Sequence, residues 1–244
     1  MDDSAGAIAP LYEADKSAVL AWSPTPDPAG GALMAFGAKD AGGGFDDEGT
    51  ELEVHRVDFT KPQGGAPAKP AGVVKTPGRF CSLGWSAMHN KSDALPMGLI
   101  AGGMAEGVVH FWDPAKLVAS HPTCLVASVT KHAGSVNGLQ FNPHRESSHL
   151  MATGGADMGV HVWSLDRPDA PSVFVPAPPT PENPTPVKHA AEVTRVAWNS
   201  QVAHILATSS QNGTCIVWDL RQKKHWSERA RCASPPPPRR ARRS

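Results

Sequence analysis

A short pattern of apolar and polar positions recurs three times along the chain and predicts pairs of β-strands. Each copy starts with aliphatic and small residues, passes through a polar turn and ends in a hydrophobic strand that carries Trp. The copies span residues 99–113, 150–164 and 205–219. Apolar residues alternate with small or polar ones, which is the period of two expected for a strand with one buried face. Repetition of this kind indicates a series of similar stacked units.

A further apolar strand precedes each copy, and a fainter unit stands before the first copy. The upstream strands contain residues 19–24, 82–86, 136–143 and 193–199, and the faint unit joins residues 33–37 to 50–57. The sequence therefore predicts four antiparallel meanders and an all-β fold. The 23 Gly and 24 Pro residues among 244 also argue against long helices.

The third and fourth units resemble WD40 repeats. Each has a His in the loop before its first strand and ends in Trp, with 31 residues from His132 to Trp163 and 29 from His189 to Trp218. The resemblance implies a β-propeller in which a loop His, a strand hydroxyl, a turn Asp and the Trp form a buried network in each blade. The matching positions are His132, Thr153, Asp157 and Trp163 in the third unit, and His189, Ser209 and Trp218 in the fourth. Asn212 or Gln211 replaces the turn Asp in the fourth unit.

Four longer segments extend the resemblance beyond WD repeats in general. Residues 14–24, 51–59, 99–103 together with 113–116, and 196–210 are similar, in this order, to the N-terminal propeller of the larger COPII outer-coat subunit, the Sec31 family. This implies a cytoplasmic protein-binding scaffold in endoplasmic reticulum to Golgi transport, peripheral at exit sites and on COPII vesicles. The implied partners are the smaller WD-repeat outer-coat subunit and the inner COPII coat, with membrane association only through the coat.

The resemblance stops near residue 224, and the propeller of that family has seven blades. We therefore expect an incomplete WD40-type propeller of about four blades in a truncated chain. The expected organisation is a flexible N-terminus over 1–10, a partial propeller over 11–224 and a disordered basic Pro/Arg-rich tail over 225–244. Trp226 would then have no blade to occupy and should be exposed.

Charge is distributed unevenly along the chain. Residues 221–244 contain nine basic residues and one acidic residue, so residues 1–220 carry 14 basic and 22 acidic side chains. An acidic body argues against a nucleic-acid surface, which is basic. The tail is either a translated non-native frame or a polyproline ligand for an SH3-like domain or an anionic membrane. No signal peptide and no apolar run of about 18 residues is present, so no transmembrane segment is expected.

Candidate chemistry is sparse. The four Cys are far apart and form no Cys-x-x-Cys pair, while His110 and His161 alternate with apolar strand residues. No nucleophile, base and acid share a recognisable motif, so we expect no enzyme activity, no cofactor and no metal site. One motif supports an alternative function. Trp218, Asp219 and Arg221 resemble a box by which WD-repeat substrate receptors dock on cullin-type ubiquitin ligases, although Gln211 and Thr214 depart from it.

Overall fold

The computed structural model describes residues 12–14, 16–27, 30–40, 50–60, 69–88, 95–176 and 187–221, and the backbone of 224–228. These residues form four sheets, each of four antiparallel strands paired in sequence order, which we call blades 1 to 4. Blade 1 contains β1 (Ala18–Trp22), β2 (Ala32–Ala38), β3 (Glu51–Val57) and β4 (Gly72–Lys75). Blade 2 contains β5 (Phe80–Ser86), β6 (Leu99–Met104), β7 (Val108–Trp112) and β8 (Leu125–Thr130). The predicted all-β fold is confirmed.

The other two blades follow the same plan. Blade 3 contains β9 (Gly138–Phe141), β10 (Leu150–Gly154), β11 (Val160–Ser164) and β12 (Ser172–Phe174). Blade 4 contains β13 (Val193–Trp198), β14 (Ile205–Ser210), β15 (Cys215–Asp219) and β16 (Lys224–Glu228). A short helix, α1 (Pro114–Val118), joins β7 to β8. The Asp113 carboxylate caps it by accepting hydrogen bonds from the Ala115 and Lys116 N–H groups, and Pro114 begins it with a fixed φ angle.

The hydrophobic core lies between consecutive blades. One cluster joins blades 1 and 2, a second joins blades 2 and 3, and a third joins blades 3 and 4. Trp112, Trp163 and Trp218 are among the largest fully buried side chains, one in each of blades 2, 3 and 4. Each blade is thus stabilised chiefly by its neighbours, as in other repeat folds.

The four blades form an open arc. Large apolar side chains stay exposed on the two terminal blades, with Leu20 and Trp22 on blade 1 and Val217 on blade 4. This agrees with the expected incomplete propeller. None of the described helices is long and apolar enough to cross a membrane.

Strand β16 corrects the expected start of the disordered tail. Residues 224–228 pair antiparallel with β15 and place Trp226 opposite Val217. The expectation of disorder is therefore wrong for residues 225–228, because the free edge of β15 offers backbone hydrogen bonds that the next residues complete. The side chain of Trp226, the rest of the tail and residues 1–10 lie outside the described residues, so those expectations stay predictions.

Candidate functional site

The structure brings the four predicted residues of the third blade into one hydrogen-bonded network. His132 lies in the loop before β9, Thr153 on β10, Asp157 in the β10–β11 turn and Trp163 on β11. His132 Nδ1 is 2.9 Å from Asp157 Oδ1, and His132 Nε2 is 2.9 Å from Thr153 Oγ1. The Trp163 indole N–H donates to Thr153 Oγ1 at 2.8 Å. Because a carboxylate only accepts, we assign the imidazole proton to Nδ1, which leaves Nε2 to accept from the Thr153 hydroxyl.

Asp157 is held by more than the imidazole. Its carboxylate also accepts the backbone N–H groups of Ala133 at 3.1 Å and Gly159 at 3.0 Å. Burial raises the pKa of Asp157, but the hydrogen bond and the electrostatic attraction of the His132 imidazole, together with these two N–H groups, outweigh burial and lower its pKa below 3.8. The side chain therefore stays ionised and fixes the loop that carries His132.

The fourth blade has a similar network, but one of its residues differs from the prediction. His189 Nε2 lies 2.7 Å from Thr208 Oγ1, and the Trp218 indole N–H donates to the same oxygen at 2.9 Å. Ser209 is on the opposite face of β14, where its hydroxyl lies 3.1 Å from that of Thr194. The choice of Ser209 is wrong because a shift of one residue along a strand reverses the face.

A signal for Thr208 is present in the sequence. Thr153 stands ten residues before Trp163, and Thr208 stands ten residues before Trp218. The residue opposite the Trp is Met151 in blade 3 and Leu206 in blade 4. In both blades the Thr lies two residues after it on the same strand. Aligning the repeats on Trp would therefore have identified Thr208.

The fourth network lacks its carboxylate. Asn212 occupies the position of Asp157, but its Oδ1 accepts from the Thr214 N–H at 3.2 Å and the Ser210 hydroxyl at 2.5 Å. His189 Nδ1 is buried and has no hydrogen-bond partner in the described structure. Burial also lowers the pKa of His189 below 6.5, which keeps the imidazole neutral.

Blade 1 contains a buried polar cluster that the sequence analysis missed. The Tyr12 hydroxyl lies 2.5 Å from His55 Nδ1, and His55 Nε2 lies 2.7 Å from Glu53 Oε2. Lys16 forms an ion pair with Glu53. Burial raises the pKa of Glu53, but hydrogen bonds and charges from Lys16 and His55 lower it below 4.5 overall. The residues come from separate segments, so only Glu53 and His55, two apart in an apolar strand, offered a signal.

One of the three residues that resemble an adaptor-docking box is buried in blade 4. Trp218 is buried in the core and bonded to Thr208. Asp219 is half-buried and accepts the backbone N–H of Arg221, whose side chain is exposed. Only Asp219 and Arg221 therefore remain at the surface for a partner.

One group of side chains has the composition of a metal site. Ligand atoms of His132, Asp157 and His161 all lie within 4.8 Å of one another. His132 and Asp157 already satisfy each other, so a metal ion would have to replace the Nδ1 proton. His161 lines an open groove of about 600 Å³ together with Lys131, Val173, Phe174 and Leu220. Burial, and then the nearby His132, lower the pKa of His161 to about 4.

These blades and their His–Thr–Trp networks define a WD-repeat protein of the β-propeller type. The WD domain, G-beta repeat, family matches residues 123–164 and 184–219, which include most of blades 3 and 4. The chain is 32% identical over 227 residues to protein transport protein SEC31 of Dictyostelium discoideum, and 36% identical over 214 residues to that of Chaetomium globosum. Within the WD-repeat class, these relatives are Sec31 proteins, to which the chain is similar along most of its own length.

The match covers most of this chain but little of its relatives. It spans 88% of this chain and 15% of either of those two proteins. The Sec31B protein of Mus musculus is 31% identical, with 88% of this chain and 17% of the relative covered.

Solved structures show the same fold. An outer-coat vertex of COPII on membranes has a TM-score of 0.61 at 22% identity, covering 86% of this chain and 49% of that chain. An autoinhibited apo ctPRC2 structure has a TM-score of 0.59 at 16% identity, covering 82% of this chain and 37% of that chain. The fold is therefore shared by proteins whose described assemblies differ.

Proposed function

We propose that this chain is a protein-binding scaffold of the COPII outer coat, acting in endoplasmic reticulum to Golgi transport. The observation that carries the proposal is the 31–36% identity to Sec31 transport proteins along 88% of the chain. A match over 88% of the chain reaches into all four blades and so extends beyond the WD repeats of blades 3 and 4. The arc supplies rigid sheets whose connecting loops can bind other proteins.

The chain acts without catalysis. Two sets of described polar groups that could perform chemistry are used for structure, since His132 bonds Asp157 and Thr153, and His55 bonds Tyr12 and Glu53. An enzyme instead needs an acid, a base and a reacting group that converge on an accessible pocket. The relatives support a scaffold, because their names describe protein transport.

Its partners are coat proteins. We propose the smaller WD-repeat subunit of the outer coat and the inner COPII coat as the proteins that it binds. The chain would reach the membrane from the cytoplasmic side, through the coat, at exit sites. The acidic body over residues 1–220 disfavours nucleic acid as a partner.

A flotation assay tests this proposal. The 244-residue chain is mixed with liposomes that carry assembled inner coat, with bare liposomes, and with inner-coated liposomes plus the smaller outer-coat subunit. We expect the chain to float with coated liposomes and not with bare ones. Equal recovery with coated and bare liposomes, or no recovery with either, would contradict the coat function.

A second set of measurements distinguishes the ubiquitin-ligase alternative from the coat function. An Asp219→Ala/Arg221→Ala double variant removes the only surface side chains of the docking box. Its flotation with coated liposomes should equal that of the unmodified chain. Capture of the unmodified chain by a purified cullin adaptor, lost in this variant, would favour the substrate-receptor function instead.

A further inference from the structure

Blade 3 carries two residues that its hydrogen-bonded network does not need. Gly155 and His161 stand eight and two residues before the Trp of this blade, where blade 4 has Ser210 and Ile216. Blade 4 nevertheless keeps the His–Thr–Trp contacts. The network alone therefore does not explain why blade 3 has Gly and His at these two positions.

Strand β11 places the imidazole of His161 beside the pair formed by His132 and Asp157. The ring centroids of the two His are 4.6 Å apart. One ligand atom from each of the three side chains lies within 4.8 Å of the other two. Two imidazole nitrogens and a carboxylate oxygen form a ligand set that suits zinc. Blade 3 has a described blade on each side, so this cluster does not depend on where the sequence stops.

Gly155 leaves space next to two of these ligand atoms. A β-carbon at this position would lie 2.5 Å from His132 Nδ1 and 2.9 Å from Asp157 Oδ1. Any larger residue would therefore fill the volume beside both atoms. An ion in this volume would be near the bond lengths of about 2.0–2.2 Å that zinc forms with nitrogen and oxygen.

Zinc binding requires only small movements of the three side chains. Bonds of this length place tetrahedral ligands about 3.4 Å apart. Since the ligand atoms are within 4.8 Å of one another, His161 has to approach by at most about 1.4 Å, and the His132–Asp157 pair has to open by about 0.5 Å. His161 is half-buried and borders the open groove, so its ring has room to move.

The network can keep its contacts when the ion replaces the Nδ1 proton of His132. The imidazole proton then lies on Nε2 and is donated to Thr153 Oγ1, which has two lone pairs and also accepts the Trp163 indole N–H. The Thr153 hydroxyl can turn to the backbone oxygen of the residue opposite it, His161. In blade 4 the corresponding hydroxyl lies 3.5 Å from that backbone oxygen.

We propose that blade 3 binds one zinc ion through His132 Nδ1, a carboxylate oxygen of Asp157 and an imidazole nitrogen of His161. Water from the groove supplies the fourth ligand. His161 also hydrogen-bonds the backbone of Lys131, and contacts of this kind orient metal-ligating imidazoles in proteins. The sequence analysis predicted no metal site because the three ligands form no recognised metal motif. The ion would tie the loop before β9 to strand β11.

Zinc titration of the full 244-residue chain tests the proposal. The chain is freed of metal with a chelator, kept reduced and titrated with zinc chloride at neutral pH by isothermal titration calorimetry. Its melting temperature is measured with and without zinc. We expect one tightly bound zinc ion per chain and a higher melting temperature with zinc, because an ion that binds only the folded state stabilises it.

His161→Ile removes the third ligand and inserts the residue type that blade 4 has at this position. The variant should bind zinc at least about tenfold more weakly and lose the zinc-dependent rise in melting temperature. His161→Asn repeats the comparison with a polar residue, and melting curves without zinc verify that both variants fold. His121→Asn is the matched control, because His121 is an exposed histidine outside the cluster. It should bind zinc like the unmodified chain.

Three outcomes would overturn the proposal. They are an unmodified chain that binds no zinc, His161 variants that fold and bind zinc as tightly as the unmodified chain, and a His121→Asn variant that is weakened as much as they are. The last result would assign the zinc to scattered surface histidines. The titration needs no coat protein, so its result is independent of the proposed function.

Discussion

The imidazole Nδ1 of His132 lies 2.9 Å from the Oδ1 of Asp157, whereas the equivalent nitrogen of His189 in the next blade is buried with no hydrogen-bond partner among the described residues. The two blades share the His, the Thr and the Trp and differ in the turn residue, Asp157 or Asn212. Comparing the two blades therefore isolates what the carboxylate contributes to the stability of the protein.

Replacing Asn212 by Asp should stabilise the protein. The new carboxylate would accept the Nδ1–H of His189, and a hydrogen bond of this kind contributes about 0.5–1.5 kcal/mol, with more for a charged partner. The expected result is a higher urea midpoint with an unchanged slope. Asn212→Ala is the control and should not raise the midpoint. An equal gain from both variants would show that the turn, and not the carboxylate, is responsible.

The reverse change in blade 3 should destabilise the protein. Asp157→Asn removes the charge that accepts from His132, Ala133 and Gly159. Leaving a buried donor unsatisfied costs about 1–3 kcal/mol. Thermal unfolding followed by far-UV circular dichroism should show a lower melting temperature at pH 7. An unchanged melting temperature would contradict a stabilising role for this network.

The hydroxyl of Thr208 should matter much more than that of Ser209. Thr208→Val keeps the shape of the side chain but removes the oxygen that His189 and Trp218 share. We expect a loss of about 1–3 kcal/mol in the free energy of unfolding. Ser209→Ala acts on the open face and should change it by less than about 0.5 kcal/mol. Similar losses from the two variants would mean that the assigned register of β14 is wrong.

Truncating the buried Trp of either network should be the most damaging single change. Trp163→Ala and Trp218→Ala each remove a fully buried side chain, which typically costs about 3–5 kcal/mol. Total stabilities are about 5–15 kcal/mol, so both variants should be largely unfolded or aggregated near physiological temperature. Leu125→Ala, at an exposed position, should melt like the unmodified chain. A well-folded Trp218→Ala variant would contradict the assigned packing.

Stability should decline on mild acidification. The pKa of His161 falls from 6.5 to about 4 on folding, and burial also lowers the pKa of His110 and His189. Below pH 6.5 the unfolded chain binds protons on these imidazoles while folded His161 remains neutral until about pH 4. The melting temperature should therefore be highest above pH 6.5 and fall between pH 6.5 and 4. His161→Asn should flatten this dependence, and an unchanged slope in that variant would exclude His161 as a contributor.

Strand positions and most of the blade-3 network were predictable because their signals are local. Alternation of apolar residues identifies a strand, and His132, Thr153, Asp157 and Trp163 follow one another at spacings that one meander brings together. The Sec31 resemblance was likewise carried by contiguous segments. Thr208 was also within reach of the sequence, since its distance to Trp218 equals that from Thr153 to Trp163.

Other features depend on contacts between distant segments, so only the tertiary structure decided them. Tyr12 meets His55 because the N-terminal segment crosses the face of blade 1, and no local pattern encodes that path. Strand β16 forms because the edge of β15 is free to pair, although residues 225–228 were predicted to belong to a disordered tail. The exposure of Trp22 and Val217 follows from the open arc. Their residue types resemble those of the buried blade faces, and burial is set by whether a neighbouring blade is present.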